Sequence, residues 1–402
     1  MYVLRTVCPG ARRAGRYHDV VGALVQAMKP AVFVTRHYGQ ARGGLGRYEE
    51  SLLPALTARW PVQAMPVQAL HVPAGLSLPA RLLGIDLRAV ARNYPCRLRG
   101  LPESCLVHLS NQNMGLALLA NRIETSVVTV HDLFTLCRAA EGDNSSSLGM
   151  ADTMLARLSA LCIKKASRVI AVSEFTKKEV VERLTVPPAR VHVVYEGVDA
   201  QAFRPREVPQ AFLAKYGLTR DRRYILYVGS LEPRKNLKRL CAAAGRVLAA
   251  LKDVDLIIAG RGGTAGQEGL LRESIEDAGL SGRLRRLSFL PAAELPLLYN
   301  VGTVLALPSL GEGFGLPALE AMSCGCPVVA SNATSIPEVV RDAGVMVNPL
   351  DVDALAQALL KALADAEHRQ ELRQRGLRRA QAFTWERAAD ETVAVYQRLV
   401  AT

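Results

Sequence analysis

Thr303-Val304-Leu305-Ala306-Leu307-Pro308-Ser309-Leu310-Gly311-Glu312-Gly313-Phe314-Gly315-Leu316-Pro317-Ala318-Leu319-Glu320-Ala321-Met322 is the stretch that decides the fold. Residues 303–307 form a short apolar run, as a strand covered on both faces requires. Glycines 311, 313 and 315 then punctuate a turn, and a helix is expected from about Leu316–Pro317. A helix start offers unpaired backbone N–H groups and the positive end of its dipole, which together suit an anion. Glycines there let the backbone approach a ligand with no Cβ in the way. Glu312 in the turn and Glu320 just over one turn into the helix can both face one cleft mouth. There they could accept hydrogen bonds from ligand hydroxyls; the alternative is a capped helix with two solvated acids.

The same rhythm runs outward in both directions. Strands are expected at 31–36, 62–68, 105–109, 126–131, 168–172 and 191–195, then at 224–229, 254–259, 286–290, 303–307, 327–330 and 345–347. Helical periodicity separates them at 45–58, 150–165, 174–184, 236–251, 267–278, 315–324, 351–364 and 367–382. Short apolar strands alternating with helices mean βαβ units and parallel sheets. Twelve strands make two sheets more reasonable than one, so the fold class is α/β with two Rossmann-like, doubly wound domains. The Gly- and Pro-punctuated stretch Tyr195–Pro209 marks the boundary. The expected domains are 28–205 and 206–382, followed by a terminal helix at 383–402. Residues 1–27 read as an extension, because the first strand follows Met28-Lys29-Pro30 and the arginines before it flank no signal-peptide core.

Composition narrows the class. The chain has 402 residues, 50% of them hydrophobic and 22% charged, values of a globular protein rather than a disordered one. No run approaches the ~18 apolar residues of a membrane-spanning helix. Eight cysteines without a CxxC pair suit free thiols in a reducing compartment. The net charge of +13 is uneven: residues 1–206 hold 26 basic and 15 acidic side chains, and residues 207–402 hold 24 and 22. A first half at +11 would attract polyanions, whether nucleic acid, anionic lipid or phosphorylated substrate, or could serve solubility alone. It contains no RRM-like aromatic sheet motif or zinc finger, so nucleic acid is not an expected partner.

Further clusters fall at strand ends. Tyr227-Val228-Gly229-Ser230-Leu231-Glu232-Pro233-Arg234-Lys235-Asn236 places adjacent cations after a buried strand, an arrangement suited to a diphosphate. Cations at a helix start oppose the dipole, so a nearby anion would explain them better than a solvated pair does. Arg42-Gly43-Gly44-Leu45-Gly46-Arg47-Tyr48 opens a helix but fails the dinucleotide fingerprint, since Glu49 stands where a glycine is needed. Gly260-Arg261-Gly262-Gly263 is an equally loose glycine run. Both read as ligand-facing loops. His131 ends the strand Val127-Val128-Thr129-Val130 and is placed to meet a substrate hydroxyl, although lone histidines are more often structural. No histidine spacing fits zinc. Of two Asp-Val-Asp triplets, 253–255 enters a strand and 351–353 reads as a helix cap, so no metal site is expected.

In ordered combination these motifs resemble glycosyltransferase family 4, retaining enzymes of the GT-B fold. The GGLGRY loop (43–48), TVHDLF (129–134), AVSEFTKKEV (171–180), EGVDAQAF (196–203), YVGSLEPRKNL (227–237) and the Glu312-x7-Glu320 pair carry the resemblance, which spans about residues 31–400. They are most similar to the mannosyl- and rhamnosyltransferase branch of bacterial surface-polysaccharide synthesis. The resemblance implies a nucleotide-sugar donor, GDP-mannose ahead of UDP-sugars, and a glycan or polyprenyl-diphosphate-linked glycan acceptor. It implies a cytoplasmic enzyme, peripheral on the inner membrane face where the basic half meets anionic lipid, with no cofactor and no metal. By the same resemblance Arg234 and Lys235 hold the diphosphate, although Ser230 stands where the family has its usual arginine. Gly229 borders the site, Glu312 lies against the donor sugar, and Glu320 binds the ribose. Gly313, Phe314 and Gly315 offer backbone N–H groups, His131 contacts sugar hydroxyls, and the Gly44–Gly46 loop closes on phosphate. The chemistry agrees, since fixed cations aimed at a departing diphosphate are its main source of catalysis. Retention by same-face attack follows, with a donor phosphate oxygen helping to take the acceptor proton. Lys235→Ala is expected to cut turnover with folding intact. A same-fold phosphorylase, a nucleotide-sugar epimerase and a nucleic-acid-binding protein are the competing readings.

Overall fold

The computed structural model describes residues 29–36, 43–67, 94–134, 150–260, 262–288 and 290–400, without the side chains of 150–153. The expected extension at 1–27 lies outside these residues. Two six-stranded parallel sheets form the framework. The first contains β1 (Ala31–Thr35), β2 (Val62–Pro66), β3 (Leu106–Leu109), β4 (Thr125–Val130), β5 (Arg168–Ala171) and β6 (Val191–Val193) in the order β2-β1-β3-β4-β5-β6. The second contains β7 (Arg223–Val228), β8 (Val254–Ala259), β9 (Leu284–Leu287), β10 (Val304–Leu307), β11 (Val328–Ser331) and β12 (Val345–Val347), ordered β12-β11-β10-β7-β8-β9. Strands β1, β3, β8, β10 and β11 are buried along their whole length, which is why they are mainly apolar rather than alternating, with Thr35, His108, Asp255 and Ser331 as their buried polar members.

Five helices matter for the site. They are α1 (Gly43–Thr57), α2 (Glu174–Leu184), α3 (Leu237–Ala250), α4 (Leu316–Ser323) and α5 (Trp385–Val400). Helix α5 lies in the core of the first sheet although it follows the second in sequence. Trp385, Ala389 and Tyr396 join Phe33, Tyr48 and Trp60 there. The Tyr396 hydroxyl lies 2.6 Å from Nδ1 of His108 on β3, and the other ring nitrogen lies 2.8 Å from Thr129 Oγ1. Burial pushes His108 down to about 3, so this histidine is a neutral core residue. Asp351 accepts from Ala354 N–H at 2.9 Å, the helix cap expected of the second Asp-Val-Asp triplet. In the first triplet, Asp255 is buried against Arg222 and Arg283.

In both sheets the strand order reverses once, between β1 and β3 in the first and between β7 and β10 in the second. An open parallel sheet takes ligands at such a reversal, outside the carboxyl ends of its strands. Gly229 follows β7 and Pro308–Gly315 follows β10, so both motifs of the second half meet at its reversal.

Candidate active site

The two reversals face each other across a cleft with a volume of about 430 Å³. Gly43, Gly44, Arg47, His131 and Glu196 line it from the first half; Gly229, Arg234, Lys235 and Glu312–Gly315 line it from the second.

Arg234 and Lys235 are placed by a single 3-10 turn, Pro233–Lys235. Asn236 ends that turn in the left-handed region (φ 62, ψ 36) before α3 starts at Leu237. The cations therefore precede the helix rather than oppose its dipole from its first turn. Asn236 Nδ2 donates to the carbonyls of Pro308 and Pro349, at 2.9 and 2.7 Å, which fixes the turn against the β10 loop. Lys235 Nζ lies 2.7 Å from both oxygens of Glu312, and Ser309 Oγ donates to the same carboxylate at 2.8 Å. Arg234 donates to Glu232 at 2.7 Å and to the Gly311 carbonyl at 2.9 Å, with Nη1 3.5 Å from Glu312. Burial alone would raise the Glu312 carboxyl, but Lys235 and Arg234 hold it below the usual range. Burial works against the Arg234 charge too, and Asp132, Glu312 and Glu232 more than offset it. The cluster is thus ionised and preorganised, with two cations fixed at the cleft wall.

The glycine turn is built for close approach. Gly315 caps α4 at φ 109, where L side chains are strained. A Cβ on Gly313 would fall 1.8 Å from the carbonyl oxygen of His131, so only glycine lets the two halves touch there. Ser173 Oγ donates to the Gly313 carbonyl at 2.7 Å and also caps α2. On the same seam, Glu338 accepts from the backbone N–H groups of Glu174 and Phe175 at 2.7 and 2.8 Å. The AVSEF motif thus receives a carboxylate at a helix start. The Phe314 ring turns away to pack on Tyr195 and Phe383, leaving its backbone for the cleft. A Cβ on Gly229 would meet the Tyr227 hydroxyl at 2.6 Å, and one on Gly260 would meet the Gly229 carbonyl at 1.8 Å, so β7 and β8 both lead into glycine where they run side by side.

Three sequence expectations need correction. Glu320 does not share the cleft mouth with Glu312. It is 2% exposed, accepts from Tyr299 at 2.8 Å and pairs with Arg47 at 2.9 Å, because the first turn of α4 carries it back under the cleft floor. Arg47 lines the cleft and stands as its link to Glu320. Burial raises the Glu320 carboxyl despite Arg47 and Tyr299. Second, Gly44 and Gly46 form no loop: both lie in α1, with Gly44 at the cleft and Gly46 buried behind it. Third, both ring nitrogens of His131 are taken, Nδ1 by Glu196 at 2.9 Å and Nε2 by the Ser110 carbonyl at 3.0 Å. A sugar hydroxyl would have to displace one of these acceptors. Arg47, Glu196, Ser173 and Glu338 were not singled out by sequence reasoning. Only the helix-cap serine carried a local signal.

Among the described residues no cluster of metal-ligating side chains occurs, and no helix is long and apolar enough to cross a membrane. The described cysteines are free thiols.

This pairing of two doubly wound sheets across a ligand cleft is the GT-B architecture. Sucrose-phosphate synthase from Thermosynechococcus elongatus superposes with a TM-score of 0.71 at 23% identity, covering 93% of this chain and 99% of its own. WaaG, a glycosyltransferase involved in lipopolysaccharide biosynthesis, gives a TM-score of 0.67 at 15% identity over 92% of this chain and 100% of its own. Residues 210–379 match the family model "Glycosyl transferases group 1", and residues 42–202 match "Glycosyltransferase Family 4". O-antigen chain mannosyltransferase B of Escherichia coli is 34% identical over 284 residues, 70% of this chain and 72% of that protein. D-inositol 3-phosphate glycosyltransferase of Thermobifida fusca is 30% identical over 68% of this chain and 65% of its own length. The chain belongs to the group 1, family 4 glycosyltransferases.

Proposed function

We propose that this glycosyltransferase moves a hexose, mannose from GDP-mannose first among the candidates, onto a glycan or polyprenyl-diphosphate-linked glycan. The observation that carries this reading is the buried Arg234–Lys235–Glu312 cluster at the strand-order reversal of the second sheet. Transfer from a sugar diphosphate breaks the anomeric C–O bond, and negative charge grows on the leaving diphosphate. Arg234 and Lys235 would meet that charge with backbone donors of the Gly313–Gly315 turn, without reorganisation at the moment of reaction. Glu312 keeps Lys235 fixed and lies against the sugar side. Glu320 would take the ribose hydroxyls once Arg47 swings away from it. The likeness to an O-antigen mannosyltransferase supports mannose. UDP-sugars are the second donor class; Anabaena HepE, which is similar in fold, is solved with UDP and glucose.

Retention needs no second carboxylate at the anomeric carbon. Glu320, the partner a double displacement would require, is paired below the cleft. We infer same-face attack, with a donor phosphate oxygen helping to take the acceptor proton, and no divalent metal. Labelled GDP-mannose, UDP-glucose and dTDP-rhamnose, offered with and without a lipid-linked glycan, test this. The expected result is acceptor-dependent transfer from GDP-mannose, undiminished by EDTA, giving an α-linkage by NMR. Altered sugar released without acceptor would favour an epimerase, and a β-linked product from GDP-mannose would overturn retention. The basic first half would hold the enzyme at the inner membrane face at about 1 kcal/mol per nearby Lys or Arg. Vesicle co-sedimentation that ignores both salt and anionic lipid would contradict that placement.

A further inference from the structure

His131 is held between two groups whose ordinary role is to accept. A backbone carbonyl has no proton to give, so the Ser110 contact at 3.0 Å puts a proton on Nε2. The Glu196 carboxylate, 2.9 Å from Nδ1, is satisfied by a second ring proton in a charge-assisted bond. The ring has little room to turn. Tyr48 meets it edge-on with centroids 4.6 Å apart, and Gln112 Oε1 accepts from the His131 backbone N–H at 3.1 Å. His131 is 8% and Glu196 4% exposed, and both line the cleft.

The charged surroundings agree with the geometry. Burial opposes a ring charge, but Glu196, the Ser110 carbonyl and Asp132 outweigh it and raise the His131 pKa. From α1, Tyr48 stays a neutral phenol, pushed up by burial, with its hydroxyl 2.9 Å from Thr129 Oγ1. From the same helix Glu49 accepts from Ser110 Oγ at 2.5 Å. On β3, His108 is neutral. Asp132 also faces Arg234 across the cleft, and the Glu320 carboxyl feels the Glu196 charge from below.

We propose that Glu196 is a positioning residue of this cleft: its carboxylate keeps the His131 ring doubly protonated and fixed, so that the first half presents an imidazolium to the bound donor rather than an acceptor for a sugar hydroxyl. The consequence for turnover rests on the donor-site reading above, whereas the protonation state does not. The resemblance covers the EGVDAQAF stretch without giving Glu196 a task, and the hydrogen-bond geometry supplies one.

Histidine-labelled NMR of the wild type, Glu196→Gln and His131→Asn tests the pair, the last variant identifying the ring signal. In the wild type both His131 nitrogens carry protons at pH 7, and the ring titrates above the ~6.5 of a free imidazole. In Glu196→Gln the titration moves down by about one unit or more, because burial then acts without the carboxylate. The alkaline limb of the kcat–pH profile with GDP-mannose moves down with it, while KM changes less. A wild-type ring with one bare nitrogen at pH 7, or a Glu196→Gln ring that titrates unchanged, overturns the proposal. Should Glu196→Gln fail to fold, the wild-type titration decides alone. The ring is read without substrate, so its failure overturns the pair, and an inactive wild type overturns only the donor-site reading.

Discussion

Removing the Lys235 ammonium should have two separable effects. Glu312 is 6% exposed and receives Lys235 on both oxygens at 2.7 Å. Lys235→Ala leaves that carboxylate buried with only Ser309 at 2.8 Å and Arg234 at 3.5 Å. Breaking one side of a buried pair costs about 3–5 kcal/mol, and the remaining Arg234 contact puts this case near the lower end, about 3 kcal/mol. Turnover falls for a different reason. One fixed cation facing developing charge is worth roughly 10²–10³ in kcat. Lys235→Met combined with Glu312→Gln removes both charges and spares the buried ion, so most of the lost stability returns while turnover does not. Denaturant unfolding of the three proteins beside single-turnover rates makes the separation. The pH response gives a further check. Glu312 titrates below its unfolded value, so its stabilisation is present above the unfolded pKa and is lost as pH falls through the folded one. Lys235→Ala should lose most of that acid dependence. A Lys235→Ala protein as stable as the wild type, or a double variant with restored turnover, would refute the reasoning. Lys235→Ala is still expected to fold, but at this cost in stability, which the sequence pattern did not announce because it placed the lysine at a helix start and carried no sign of its burial.

Three other outcomes follow from the seam and the core. Gly313→Ala would drive a Cβ into the His131 carbonyl, 1.8 Å away, so both halves should stay folded but stand further apart. A larger radius of gyration by X-ray scattering and lost turnover check this. Glu338→Gln removes a charge from the start of α2, which should cost about 0.5–2 kcal/mol; equal unfolding midpoints for variant and wild type would count against a clasp there. His108 titrates at about 3 in the folded chain, so its neutral form stabilises fully above about 6.5 and that contribution declines as pH falls towards 3. Between pH 7 and 5 the loss should be about 2 kcal/mol, absent from His108→Gln, as paired denaturation curves would show.

The inner strands were legible because each is a short buried run, and burial on both faces leaves little else for such runs to be. Boundaries moved by a residue or two, most at β9, where Arg285 and Arg286 interrupt the apolar pattern. The turn at 233–235 read as a helix start because nothing local announces that Asn236 takes a left-handed conformation. Within the site, the second half's cations and glycine turn were visible because each follows a strand directly. Partners supplied from the other half were not. Arg47 reaches Glu320 across 273 positions of chain, and Glu338 reaches α2 across 164 and 163. Such pairings are set by how the two sheets dock, and neither periodicity nor spacing encodes them.

Calorimetric titration of GDP against guanosine, into the wild type and into the Lys235→Met/Glu312→Gln protein, asks directly whether the paired cations receive a diphosphate. The wild type should bind GDP at least a hundredfold more tightly than guanosine, and the double variant should lose most of that difference. Equal affinity for the two ligands in the wild type, or an undiminished preference in the variant, would show that Arg234 and Lys235 serve the fold alone.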